Sequence, residues 1–207
     1  MNTHTRRERE RQELRTRILD AARELFASHG YDAVTMRKVA EKVEYSPTAI
    51  YLHFPDKESL LRELCDVDFR RFGEELIRIA RVKDPIERLR QAGLAYIEFA
   101  LANPNHYRLM FMTPHPPMSP EASSIAAGDP TEDAYAFVRG IVADAIAQQR
   151  LRPELRDAEL VAQIMWAGVH GVAAIELTMA GNPWIAFRPI KKRAKAMIDT
   201  LLRGITR

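Results

Sequence analysis

The segment Thr35-Met36-Arg37-Lys38-Val39-Ala40-Glu41-Lys42-Val43-Glu44-Tyr45-Ser46-Pro47-Thr48-Ala49-Ile50-Tyr51-Leu52-His53-Phe54 reads as two short helices joined by a tight turn. Thr35 is a plausible N-cap for a helix over residues 36–43, with Val39, Ala40 and Val43 facing inward. Ser46-Pro47 starts a second helix economically: serine accepts orphan amide bonds, and proline at the first helical position has no amide to leave unpaired. Phe54-Pro55 ends it, because the residue before proline is pushed out of the helical region. Two helices of this size have the dimensions of a helix-turn-helix, although a plain helical hairpin has the same pattern. Val43, Tyr45 and Ile50 are expected to seal the corner. Ser46, Thr48, Tyr51 and His53 are then left toward solvent. With Lys57 they supply the hydroxyl, amide and basic groups that grip phosphates and read base edges.

Outward from this segment the chain continues as helices punctuated by proline. Leu14, Ile18, Ala22, Leu25 and Phe26 form one apolar stripe on a first helix that Gly30 closes. Asp56 caps a long fourth helix to about Val82, and Asp84-Pro85 and Asp129-Pro130 carry the same capping signature for later ones. Asn103-Pro104 separates a fifth helix from a short sixth. Residues 113–121, with four prolines, read as a loop, and through Gly128 as the most mobile segment. Phe137 to Ile146, a stretch from Asp157 to about Met179, and Ile190 to Leu202 mark three more helices. The expected fold is all-α with about nine helices. Residues 1–57 are expected to form a helix-turn-helix domain with a flexible N-terminal arm, and residues 58–207 a larger helical domain, for which the family resemblance given below implies ligand binding and dimerisation.

The composition sets further bounds. At 207 residues, 46% hydrophobic and 29% charged, the chain can bury a core unaided. One cysteine, Cys65, excludes a disulfide scaffold, and no signal-peptide pattern is present, so the expectation is a cytoplasmic protein. No uninterrupted run of eighteen apolar residues argues for a membrane span. A net charge of +3 does not by itself announce a polyanion partner. No nucleophile elbow, Walker loop, dinucleotide fingerprint or zinc spacing supports an enzyme, a metal or a cofactor. His106 and His115 lack a third ligand, and Cys65 beside Leu61 and Leu64 reads as a packed residue.

The residues from Gly30-Tyr31-Asp32 through Thr35-Met36-Arg37-Lys38-Val39-Ala40, Ser46-Pro47-Thr48-Ala49-Ile50-Tyr51-Leu52-His53-Phe54 and Asp56-Lys57-Glu58-Ser59-Leu60 resemble the DNA-binding domain of the tetracycline-repressor (TetR) family of bacterial transcription regulators. The resemblance covers about a quarter of the chain. It implies an all-helical homodimer whose first three helices bind double-stranded operator DNA. By position it implies that Thr35 and Arg37 contact backbone or bases, Pro47 and Thr48 face bases, Tyr51, His53 and Lys57 hold phosphates, and Ser46 caps the reading helix. The family usually has glycine where this chain has Glu44, so a left-handed glutamate, strained by roughly 1–2 kcal/mol, is expected there. Arg6, Arg7, Arg9 and Arg11 read either as a minor-groove arm or as an exposed helix laced by the pairs Arg6–Glu10 and Arg9–Glu13.

In the larger part, Gln163, Trp166 and His170 share one face of the eighth helix, while Ala167, Gly171, Ala174 and Thr178 make a small-residue stripe. That stripe, with Ile198 and Leu201 on the ninth helix, is the expected dimer interface; Gly168 and Gly171 suggest a closely approaching partner helix. Trp166-Ala167-Gly168-Val169-His170-Gly171 resembles the family's Trp-His-Gly C-terminal subtype. Tyr96, Phe99, Tyr107, Met110, Phe111, Gln163, Trp166 and His170 are candidates for a ligand pocket, although a single histidine on a mostly apolar helix, such as His170, is more often a satisfied core residue. The functional expectation is a regulator, usually a repressor in this family, released from a palindromic operator by a small apolar effector. The alternative is a helical ligand-binding protein or enzyme with a vestigial motif.

Overall fold

The structure, a computed structural model, describes residues 3–117 and 119–207. Among these residues it is built of nine α-helices, two 3-10 turns and one isolated bridge between Leu151 and Thr206. The helices are α1 (Thr3–His29), α2 (Met36–Val43), α3 (Pro47–Tyr51), α4 (Lys57–Ile77), α5 (Pro85–Ala102), α6 (Pro104–Phe111), α7 (Ala134–Ala147), α8 (Ala158–Met179) and α9 (Ile190–Ile205).

Most helix starts are local chemistry. Thr35 Oγ1 accepts from Lys38 N, Ser46 Oγ from Ala49 N, and Asp84 and Asp157 each from two amides of the following turn. Asp56 and Ser59 cap α4 reciprocally, which holds the Asp56 carboxyl below its ordinary range through the Ser59 amide. The start expected at Asp129 lies instead at Asp133, whose carboxylate caps Tyr135 and Ala136; Asp129 folds onto Thr131 as a turn. Proline at position 130 fits both arrangements, so the signature alone did not separate them.

The chain divides into two compact units. The first holds residues 1–68 and 105–124, so α4 up to Asp68 and α6 from Asn105 pack with the N-terminal helices rather than with the later ones. Its core is Ile18, Ala22 and Phe26 of α1 against Val39, Ala40, Ile50, Phe54, Leu60 and Leu64, with Tyr107 and Leu109 of α6 fully buried. A polar network threads this core. Asp68, with no exposed surface, binds the Arg23 guanidinium through both oxygens and accepts contact from His106 Nδ1 at 2.9 Å. Asp66 accepts from Ser123 and twice from Ser124. Those bonds anchor the end of the segment expected to be most mobile; Met118 within it lies outside the described residues. Cys65 is buried between these acids, and burial followed by their charge pushes its thiol up to about 12, so it stays protonated as a packed residue.

The flexible arm is replaced by helix. Arg6, Arg7, Arg9 and Arg11 all stand on α1, with Arg6 bonded to Glu10 at 2.7 Å and Arg9 paired with Glu13. Met1 and Asn2 lie outside the described residues.

The second unit holds residues 69–104 and 125–207, a bundle in which α5 packs on α7, α8 and α9. Helix α8 is long and apolar enough in composition to cross a membrane, but Val161, Ala162, Met165, Val169 and Ala173 are buried inside the bundle. Gly93 on α5 allows a close approach: a Cβ there would meet Ile198 Cδ1 at 3.1 Å and Val169 Cγ1 at 3.3 Å.

Candidate nucleic-acid interface

Helix α3 is five residues long and cannot hold itself together, since nucleation is costly at this length. It is held from beneath by Ile50, fully buried, and at its ends by α1. Arg17 donates to the Val43 carbonyl at 3.0 Å at the end of α2, and Arg15 to the His53 carbonyl at 3.1 Å beyond the end of α3. Arginines placed at helix C-termini satisfy orphan carbonyls and oppose the negative end of the dipole. Arg15 is itself fixed by Glu63 and lies over the Phe54 ring, 4.5 Å from its centroid. Sequence reasoning missed both arginines, because their partners are 26 and 38 residues away.

This bracing leaves a polar outer face. Ser46, Pro47, Thr48 and Tyr51 are exposed, Tyr51 by 51%, and Thr35 and Arg37 are exposed at the start of α2, where Arg37 pairs with Glu41. Two further exposed side chains belong to the same region. Leu52 is 74% exposed, and Tyr45, expected to seal the corner, is instead 43% exposed beside Arg17. Val43 and Ile50 suffice to close the core, so Tyr45 is not needed inside.

The turn is a left-handed C-terminal motif: Tyr45 N bonds Ala40 O at 3.0 Å and Glu44 N bonds Glu41 O at 3.2 Å, with Glu44 at φ 62° and ψ 40°. The expected positive φ at this non-glycine position is therefore present.

Two expected phosphate ligands are differently placed than the sequence suggests. Lys57 donates to the Tyr31 carbonyl at 3.0 Å and sits 3.9 Å above the Tyr31 ring, so part of its capacity is spent inside the protein. His53 is only partly exposed, and its Nδ1 is buried without a hydrogen-bond partner among the described residues. Burial first, then the charges of Arg11 and Arg15, hold its imidazole below the usual histidine range.

In the second unit, Tyr96 accepts from Trp166 Nε1 at 3.1 Å and lies 3.2 Å from His170 Nδ1, with Phe72 and Phe99 packed beside it. Burial lowers the His170 pKa and favours the neutral ring. Gln163 is exposed one turn before Trp166. Tyr107, Met110 and Phe111 belong to the first unit, where Tyr107 and Met110 are buried and Phe111 packs on Tyr107. An open groove of about 690 Å³ lies between α5 and α9, floored by Leu94, Ile97 and Ala194, and none of the eight expected pocket residues lines it.

The glycine stripe separates into two roles. A Cβ at Gly168 would lie 2.5 Å from Leu201 Cδ1 and 2.8 Å from Met197 Sδ, so the helix that approaches it closely is α9 of the same chain. Gly171 faces open space. Leu160, Ile164, Ala167, Ala174, Ile175 and Thr178 share its outward face, none of them buried. Ile198 is 1% exposed and packs on Gly93, so it is part of the chain's own core rather than an available interface residue; Leu201 is engaged with Gly168 and half-buried.

Comparison with known proteins follows the same division. Residues 18–64 match the family described as bacterial regulatory proteins, tetR family. Residues 89–201, more than half of the chain, match the tetracyclin repressor-like C-terminal domain, a match that takes in residues 166–171 and specifies no Trp-His-Gly subtype. Over 90 residues the chain is 33% identical to the HTH-type transcriptional regulator UidR of Escherichia coli strain K12, covering 44% of this chain and 40% of that protein. Over 60 residues it is 45% identical to the HTH-type transcriptional repressor AcnR of Corynebacterium diphtheriae, covering 29% and 32%. The chain thus matches less than half the length of these curated relatives. A solved structure of the TetR family transcriptional regulator PfmR from Thermus thermophilus superimposes with a TM-score of 0.69 at 25% identity, covering 92% of this chain and 99% of that one. With both its reading head and its helical bundle matched, the chain belongs to the TetR family of bacterial regulatory proteins.

Proposed function

We propose that this chain is a homodimeric DNA-binding transcriptional regulator that represses by occupying a palindromic operator and is released by a small apolar effector. The observation that carries the reading is α3 itself. A five-residue helix, capped by Ser46 and braced by two arginines, keeps Pro47, Thr48 and Tyr51 outward, and no role in the protein's own core accounts for them. Hydroxyls at the N-terminal end of such a helix suit base edges, and Tyr51 at the other end suits a phosphate. The described functions of the UidR and AcnR relatives support the same class.

Dimerisation by the outward face of α8 would set the two reading helices about 34–36 Å apart, one turn of the duplex. The effector would meet the Tyr96, Trp166 and His170 cluster, where a neutral imidazole and a phenol offer hydrogen bonds among apolar rings. Helix α4, shared by both compact units, would carry the change between effector and operator. The site of action is the cytoplasm, where operator DNA lies.

Selection from a random-sequence duplex library tests the reading. Enrichment of a two-fold symmetric sequence with half-sites one helical turn apart is expected. Failure to enrich any sequence at low salt overturns it.

A further inference from the structure

The charge at the far end of the reading helix comes from α1. Arg15, which reaches the His53 carbonyl, is neutralised by Glu63 and covered by Phe54 contact, so it serves as a brace. Lys57 is tied to Tyr31. Arg11 lies one helical turn before Arg15 on the same face of α1, about 6 Å along the axis. It is exposed, and no hydrogen bond or ion pair engages it among the described residues. Of the arginines that precede it on α1, Arg6 and Arg9 are paired with Glu10 and Glu13.

The proximity of Arg11 to His53 is also visible in the imidazole. With Nδ1 buried and unpartnered, and two arginines beside it, His53 is held as a neutral ring at neutral pH. A neutral ring can hydrogen-bond a phosphate but contributes no charge to the grip. A cationic contact at this corner falls to a neighbour that is exposed and unpaired; Arg11 and Arg7 both are, and Arg11 is the one a single turn from Arg15.

We propose that Arg11 is the side chain that grips a DNA phosphate at the C-terminal end of the reading helix. A guanidinium can bind two phosphate oxygens at once from a helix that Arg15 and Arg17 already hold in place, so the contact needs little further ordering. The inference rests on the DNA-binding reading above.

The test is salt dependence on the duplex selected by the wild-type protein. Each phosphate contact contributes about 0.9 to the slope of log affinity against log salt. For two subunits, Arg11→Ala should lower the slope by about 1.8, which makes affinity about tenfold less sensitive between 50 and 200 mM salt. Arg11→Lys should restore the slope, while His53→Gln and Arg6→Ala should leave it at the wild-type value. Thermal unfolding of Arg11→Ala should match the wild type, since the residue is exposed and unpaired. A wild-type slope in Arg11→Ala, or an equal loss in His53→Gln, overturns the assignment. A wild-type protein that selects no duplex overturns the DNA-binding reading itself, and this inference falls with it.

Discussion

Glu44 holds a left-handed backbone conformation at the turn where α2 gives way to α3. A side chain with a Cβ is disfavoured there by roughly 1–2 kcal/mol, and a carboxylate at the turn also faces any phosphate that α3 approaches. Glu44→Gly is therefore expected to stabilise the fold by about 1 kcal/mol, read as a higher thermal midpoint, and to tighten DNA binding in a titration at low salt. Weaker binding by the glycine variant would mean that the carboxylate has a positive role. At this scale the caps Thr35, Ser46, Asp56, Asp84 and Asp157 were legible in the sequence, since each is satisfied within three residues. His53 and Lys57 were legible as polar groups, but the burial of the His53 Nδ1 beside the α1 arginines and the engagement of Lys57 with Tyr31 were not.

Among the elements, α4 carries a fully buried carboxylate. Asp68 is buried with Arg23 and His106, and removing its charge would strand a guanidinium that is itself buried. Breaking one partner of such a pair costs about 3–5 kcal/mol, so Asp68→Asn should lower stability by that order in denaturant unfolding, whereas Asp20→Asn, at the exposed end of the same arginine, should change it little. The pairing was invisible to a reading by periodicity, which treats acids on a helix as its solvent face. The α8–α9 contact makes a second case. Gly168→Leu should destabilise the bundle by collision with Leu201 and Met197, while Gly171→Ala should leave the monomer as stable or slightly more so. The sequence singled out both glycines, but only their surroundings separate an intrachain packing site from an open surface.

For the molecule as a whole, the outward face of α8 and two half-buried histidines give two measurable consequences. A bulky charge at an open position blocks association without entering the core, so Gly171→Arg is expected to sediment as a folded monomer and to lose at least tenfold in DNA affinity, on the order of 1.4 kcal/mol or more. Unchanged sedimentation would place any dimer contact elsewhere. His53 and His170 both have folded pKa values below the ordinary 6.5. The unfolded chain then binds more protons than the folded one as pH falls, so the stability they contribute is present above about pH 6.5 and is lost as pH drops through the lowered folded values. The thermal midpoint should decline from about pH 7 toward about pH 5, and His170→Gln should flatten that decline. An identical decline in the variant would assign the loss to other groups.

The sequence by itself determined the helices, nearly all of their starting residues, the helix-turn-helix and the family, because caps, prolines and apolar spacing act over a few residues and survive in one dimension. Only the tertiary structure decided how the candidate residues are used. It placed Arg15 and Arg17 under the reading head, turned Ile198 and Gly168 inward, left Gly171 open and buried Asp68. Those outcomes depend on distant partners, such as Val43 for Arg17, 26 residues away, and Gly93 for Ile198, and no local pattern encodes which distant side chain will arrive.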